Sequence, residues 1–215
     1  MGRARMCEPS ALESPLAAAL TERREARSRS EAGVILVEHT FRGFLNLRGN
    51  PEDGAFSSAA KNVLGFELPT EPNTLVATAQ PSLTGVVACW LGPDEWLLMT
   101  PPDVQTELMA ELQQATARLH LAVTDVTGGY TIICLDGPLV RDLLAKGCTM
   151  DLHPRSFGPG QCAQTNVGKT GVLLIPEING VDHQNFEVIV RRSFADYLFN
   201  WIEHEAAEYG LHIDG

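Results

Sequence analysis

The segment from Asn166 to Thr170 is the part of this 215-residue chain that comes nearest to a nucleotide-binding motif. Its last residues, Gly168-Lys169-Thr170, match the end of the loop that cradles phosphates in P-loop proteins. The first glycine of that motif would fall at Ala163, and the surrounding pattern predicts a β-hairpin instead of a strand, loop and helix. We therefore interpret the segment as a structural turn.

The histidines and cysteines do not have the spacing of a metal site. No histidine stands at H-x-x-x-H or H-E-x-x-H spacing, and Asp182-His183 and Glu203-His204-Glu205 are interpreted as exposed surface. The five cysteines are an odd number and include no C-x-x-C pair, which favours reduced cytosolic thiols over disulfides or zinc. The cysteines are Cys7, Cys89, Cys134, Cys148 and Cys162.

The three tryptophans could stack on a pterin or flavin ring. Trp96 and Trp201, however, fall on the apolar faces of a predicted strand and a predicted helix, so core packing explains them better. There is no G-x-S-x-G nucleophile motif either. The sequence therefore predicts no catalytic, cofactor-binding or metal site in this chain.

The first half of the globular region predicts strands and two amphipathic helices. Asn50 and Pro51 are predicted as the N-cap and first residue of one helix, which Gly65 ends, and Asp103 is predicted to cap the other. Apolar and alternating runs predict strands at 34–37, 44–48, 74–79, 85–90 and 96–99.

The second half repeats this order of elements. A strand-rich stretch at 123–135 leads into Asp136-Gly137-Pro138, which opens a helix, and a hairpin is predicted over 165–175. A strand at 186–190 precedes the last helix, which is predicted to begin at Ser193 with Asp196 in capping-box style.

These parallels predict an internal duplication. Gly49 and Gly137, which precede the first helix of each half, lie 88 residues apart. We expect an α+β fold in which two duplicated halves, roughly 33–120 and 121–215, pack helices on largely antiparallel sheets.

Residues 1–32 have the composition of a flexible N-terminal arm, ahead of a globular domain at 33–215. The arm contains one apolar island, at residues 14–20. An apolar patch without a core of its own either docks on a partner or packs back on this domain. The residues predicted to form a partner interface are Ser14, Pro15, Leu16 and Leu20.

The formal net charge of -11 makes nucleic acid and anionic lipid unfavourable partners. No stretch has the length and apolar character of a signal peptide or a membrane span, so we expect a cytoplasmic protein.

Several stretches taken in order resemble the gamma subunit of heterotetrameric sarcosine oxidase. They run from about residue 14 to 205, and some of them recur more broadly in the aminomethyltransferase-like superfamily. The stretches are Ser14-Pro15-Leu16, Leu91-Gly92-Pro93-Asp94-Glu95-Trp96-Leu97-Leu98, Leu135-Asp136-Gly137-Pro138, Leu143-Leu144-Ala145-Lys146-Gly147-Cys148, Asp151-Leu152-His153-Pro154, Cys162-Ala163-Gln164-Thr165 and Arg192-Ser193-Phe194-Ala195-Asp196-Tyr197-Leu198.

This resemblance implies a structural subunit with a fold similar to the folate-binding domain of aminomethyltransferases. The complex would oxidatively demethylate sarcosine to glycine, with hydrogen peroxide and 5,10-methylenetetrahydrofolate as products. Its FAD, FMN, NAD and zinc would lie in the alpha, beta and delta subunits. No folate-binding acidic residue of the aminomethyltransferases can be matched to this sequence.

Two other hypotheses belong to different classes. One is a free-standing folate-binding or one-carbon-transfer protein, which the superfamily resemblance allows. The other is a nucleotide hydrolase built on Gly168-Lys169-Thr170, which the missing first glycine disfavours.

Overall fold

The computed structural model describes residues 13–22, 29–78, 85–176 and 185–214. Its helices are α1 (Ala17–Glu22), α2 (Gly54–Leu64), α3 (Gln105–Ala115), α4 (Val140–Ala145) and α5 (Ala195–Glu205). Its strands are β1 (Val34–His39), β2 (Gly43–Arg48), β3 (Leu75–Ala77), β4 (Val87–Gly92), β5 (Glu95–Thr100), β6 (Ala122–Asp125), β7 (Tyr130–Asp136), β8 (Ala163–Val167), β9 (Thr170–Pro176), β10 (Phe186–Arg191) and β11 (Leu211–Asp214).

The strands form two sheets. The six-stranded sheet has the order β11-β1-β7-β10-β9-β8, and the five-stranded sheet has the order β3-β4-β5-β2-β6. All neighbouring strands are antiparallel except β1 and β11, which pair in parallel from Val34 opposite Leu211. The expected α+β class with largely antiparallel sheets is therefore confirmed.

The two sheets have the same internal plan. Across the five-stranded sheet the strand order is β6, β2, β5, β4 and β3. The equivalent positions of the six-stranded sheet hold, in the same order, β1, β7, β10, β9 and β8. The first strand of each half of the sequence therefore lies in the sheet formed mainly by the other half: β1 in the six-stranded sheet and β6 in the five-stranded sheet. The chain passes between the sheets at 40–42, after β1, and again at 126–129, after β6.

The layers stack as helix, sheet, sheet and helix. One face of the six-stranded sheet packs on α4 and α5 through residues such as Leu143 and Leu198. The facing surfaces of the two sheets meet around Phe44 and Ile189. The outer face of the five-stranded sheet packs on α2 and α3, with Trp96 at its centre. Burial on both faces explains why the central strands read as nearly continuous apolar runs.

The first predicted helix starts three residues later than expected. The Asn50 side chain accepts a hydrogen bond from the Glu52 amide at 3.0 Å, which closes a turn. Asp53 is the actual N-cap and accepts from the Ala55 amide at 2.9 Å. The prediction that Asn50 and Pro51 open the helix is therefore wrong, whereas the left-handed stop at Gly65, with φ of 80°, is confirmed.

Two further caps also differ from the prediction. Asp103 adopts a positive φ of 65° outside α3, so Val104 takes the N-cap position without a side-chain bond. The last helix is preceded by a 3₁₀ turn at Arg192–Phe194, and Phe194 is its N-cap, so Ser193 and Asp196 form no capping box.

Candidate functional site

The segment that resembles a phosphate loop is a tight hairpin between β8 and β9. Gly168 has a φ of 59°, which suits the turn. The Lys169 amide, which a phosphate would need, donates to the Tyr197 hydroxyl at 3.0 Å. The interpretation of this segment as a structural turn is confirmed.

Among the cysteines of the described ranges, Cys89, Cys148 and Cys162 are buried, and Cys134 is partly buried. The hydrogen bond to Cys162 and the surrounding apolar core raise the pKa of Cys89, and the same bond lowers the pKa of Cys162. Burial, with a smaller contribution from Glu187, raises the pKa of Cys134 to about 12. Thiols with a raised pKa, here Cys89 and Cys134, are poor nucleophiles at neutral pH.

No group of three or more histidine, cysteine, aspartate or glutamate side chains is placed to hold a metal ion within the described ranges. Asp182 and His183 lie outside those ranges. None of the helices in the described part of the chain combines the length and apolar character needed to cross a membrane.

The tryptophans belong to the helix–sheet cores. Trp96 is fully buried, and its indole nitrogen donates to the Pro69 carbonyl at 2.7 Å. Trp201 packs on the opposite core, against Gly147 and Gly168. The prediction that Trp96 and Trp201 serve core packing agrees with these contacts.

The residue cluster with the most unusual chemistry lies where the chain crosses between the sheets. It surrounds a cavity of about 490 Å³, which we name the crossover cavity. The two crossover connections, the start of α3 and residues 13–15 of the arm supply its walls. The lining includes Ser14, Glu38, Phe41, Arg42, Asp103, Gln105, Asp125, Tyr130, Thr131 and Arg192.

Arg42 is the most buried cation of the described part of the chain, with 5% of its surface exposed. Its Nε donates to the Thr100 carbonyl at 2.8 Å. Burial lowers the pKa of the guanidinium, and the negative charge of Glu187 partly offsets that effect. A cation in this position is costly unless an acceptor completes its hydrogen bonds.

A second polar pair lies near Arg42, between the sheets. His39 Nδ1 is 3.6 Å from Glu187 Oε1, too long for a hydrogen bond. His39 Nδ1, Glu187 Oε2 and Gln105 Oε1 are all buried, and none has a hydrogen-bond partner among the described residues. Such orphaned atoms are rare in folded proteins and concentrate where water, an ion or a ligand binds.

Sequence reasoning did not single out these residues as a site. Arg42 follows Phe41 in a short turn, and Glu187 alternates with apolar residues on β10. The sequence pattern alone therefore predicts that both side chains are exposed. Only their placement between two sheets reveals that they are buried. No spacing in the sequence signals it.

The predicted interface residues of the arm contact this chain itself. Leu16 is fully buried in the core around α4 and α5, and Leu20 packs against the same core. The Ser14 hydroxyl donates to Glu38, and Pro15 lines the crossover cavity. Of the two alternatives for the apolar island, packing back on this domain describes Leu16, while contact with a partner stays a prediction.

The fold matches that of the aminomethyltransferases. The glycine cleavage system aminomethyltransferase T from Bartonella henselae superposes with a TM-score of 0.67 at 12% identity, over 94% of this chain and 58% of that one. An aminomethyltransferase from Saccharopolyspora erythraea is 23% identical over 87% of this chain and half of its own length. At these identities the likeness defines the class of fold alone.

The sequence defines the family more narrowly. Residues 48–208 match the model of the sarcosine oxidase gamma subunit family. The sarcosine oxidase subunit gamma of Corynebacterium sp. strain P-1 is 32% identical over 84% of each chain. A chain of the heterotetrameric sarcosine oxidase from Corynebacterium sp. U-96 superposes with a TM-score of 0.80 at 28% identity, over 92% of this chain and 96% of that one. The chain belongs to the sarcosine oxidase gamma subunit family.

Proposed function

We propose that this chain is a non-catalytic structural subunit of a heterotetrameric flavoenzyme that oxidatively demethylates sarcosine to glycine. The products of the complex would be hydrogen peroxide and 5,10-methylenetetrahydrofolate. Alpha, beta and delta subunits would hold the FAD, FMN, NAD and zinc. The complex would work in the cytoplasm.

The observation that carries this proposal is the match, over nearly the whole length of both chains, to a chain of a heterotetrameric sarcosine oxidase. The chemistry of the described residues supports a structural role. The thiols of Cys89 and Cys134 have raised pKa values and are poor nucleophiles, and the lysine amide of the phosphate-loop segment donates to the Tyr197 hydroxyl on α5.

The interface proposal for the arm follows from its docking. Leu16 anchors the arm on this domain, because its side chain is fully buried there. Pro15 and Leu20 are only partly covered, so they are the apolar members of the predicted set that a partner can still reach. We propose that a partner subunit covers these two.

The test is to isolate this chain, tagged, from its native cells, to identify the polypeptides that accompany it and to record the visible spectrum. Three companion subunits and flavin absorbance are expected. A fully assembled and active complex from cells that lack this chain would contradict the structural role.

A free-standing folate-binding or one-carbon-transfer protein is the second candidate, because aminomethyltransferases share the fold. It predicts a colourless single polypeptide that binds tetrahydrofolate saturably. Absence of such binding to the purified chain would exclude it.

A further inference from the structure

The crossover cavity has the size and shape of a ligand site. Its volume of about 490 Å³ falls within the range of small-molecule pockets, roughly 300–1,000 Å³. It lies where the two crossover connections approach the start of α3, and the arm lines one side of it. Pockets of this kind, at a junction between two packed units, are common binding positions.

Two cations line the cavity: Arg192 is exposed and donates to the Glu13 carbonyl at 2.6 Å, whereas Arg42 is buried. Among the described residues, the Arg42 guanidinium makes one hydrogen bond, from Nε to the Thr100 carbonyl. No carboxylate of those residues lies within ion-pair distance of the guanidinium. The terminal nitrogens therefore have no partner among those residues. A guanidinium binds a carboxylate through two parallel hydrogen bonds, so this buried group is suited to a ligand carboxylate.

The acceptors of the cavity are separate from Arg42. Glu38 is already used, because its carboxylate accepts from the hydroxyls of Ser14 and Thr131. Asp103 makes no bond to other described residues, and Asp125 accepts only the Thr127 amide, at 2.9 Å. Gln105 Oε1 is buried without a donor. These groups are suited to the N–H donors of an ammonium group.

Two aromatic rings add an apolar surface. Phe41 lines the cavity and is 47% exposed, with a positive φ of 60° that is uncommon for an aromatic residue. Tyr130 lines the same cavity and is positioned by Phe44, with ring centroids 5.5 Å apart. An aromatic side chain on a ligand could pack against both rings.

We propose that the crossover cavity binds the zwitterion of an aromatic α-amino acid, with its carboxylate on Arg42 and its ammonium group on Gln105 and the acidic rim. A zwitterion carries both charges, so its carboxylate can pair with the cation on one wall of the cavity and its ammonium group with the carboxylates on another. The site does not depend on the proposed function.

The test measures binding of three labelled probes to the purified native assembly that contains this chain, by equilibrium dialysis. The probes are L-phenylalanine, 3-phenylpropionate, which lacks the ammonium group, and 2-phenylethylamine, which lacks the carboxylate. We expect one saturable phenylalanine site per copy of this chain, and binding of each analogue at least about tenfold weaker.

Arg42→Gln is expected to weaken phenylalanine binding by at least about tenfold. Arg48→Gln is the matched control, because Arg48 is an exposed arginine that pairs with Asp94 and does not line this cavity. Its binding should stay within about twofold of the wild type. Arg42→Gln binding like the wild type would overturn the proposal.

Asp103→Asn decides the question if Arg42→Gln does not assemble. Asp103 is exposed on a loop, so its replacement should leave the fold intact. It should weaken binding of phenylalanine and phenylethylamine but not of phenylpropionate, whereas a general disturbance would weaken all three alike and overturn the proposal.

The proposal is also overturned if the wild-type assembly shows no saturable phenylalanine binding below about 10 mM. The co-purification experiment tests the proposed function independently of ligand binding, because either proposal can be contradicted while the other holds.

Discussion

At the scale of single residues, the two tryptophans that face each other across β4 and β5 differ in one hydrogen bond. Trp96 donates to the Pro69 carbonyl, whereas the indole nitrogen of Trp90 is buried without a partner among the described residues. Trp96→Phe removes a bond and leaves a carbonyl unsatisfied. We expect it to lower the free energy of unfolding by about 1–3 kcal/mol more than Trp90→Phe does, in urea unfolding followed by circular dichroism. Equal losses would contradict the assigned hydrogen bond.

Cys134 tests the effect of burial on a single ionisable group. Its pKa of about 12 leaves the thiol protonated at pH 8, where a free cysteine is partly thiolate. Iodoacetamide should therefore modify Cys134 roughly a thousandfold more slowly than a free cysteine, as peptide mapping by mass spectrometry would show. The urea-unfolded chain is the control and should react at the ordinary rate. Modification within tenfold of that rate in the folded protein would be inconsistent with the raised pKa.

At the scale of elements, the end of α4 is held against the β8–β9 hairpin and α5. The Gly168 amide donates to the Gly147 carbonyl at 3.1 Å. A Cβ at Gly147 would lie 2.4 Å from the Trp201 ring and 2.7 Å from the Gly168 backbone nitrogen. Gly147→Ala should therefore destabilise the chain by about 1–3 kcal/mol in urea unfolding, because backbone must move.

The matched control for this glycine is Gly54, the first residue of α2. A Cβ there meets nothing within 4 Å. Gly54→Ala should be neutral or stabilise by up to about 1 kcal/mol, since alanine loses less conformational freedom on folding. If the two substitutions had the same effect, the close contact at Gly147 would not be a packing constraint.

At the scale of the whole molecule, the exchanged first strands make the halves depend on each other. A fragment of residues 33–120 would keep β1 without its neighbours β7 and β11, and its own sheet would lack β6. The apolar surface between the sheets, around Phe44 and Ile189, would also be exposed in both fragments. We expect neither 33–120 nor 121–215 to unfold cooperatively alone, and an equimolar mixture to recover a cooperative transition by circular dichroism. Cooperative unfolding of one half alone would refute this dependence.

The resemblance between the halves was predictable because it resides in local order. The glycines 88 residues apart and the similar order of strand and helix patterns depend on residues close together in the chain. They can therefore be recognised from the sequence alone. Helix starts were less predictable. Asn50 and Asp53 are both good capping residues, and the turn at Pro51 decides which one caps.

The sequence by itself determined the class of fold, the duplication and the family, since each rests on the order of residues along the chain. Only the tertiary structure decided that β1 and β6 exchange sheets, that Leu16 enters the core, and that Arg42 lies buried beside a cavity. Strand partners and burial depend on contacts between residues far apart in sequence. A polar turn on the surface and one enclosed between two sheets have the same local pattern, so packing alone distinguishes them.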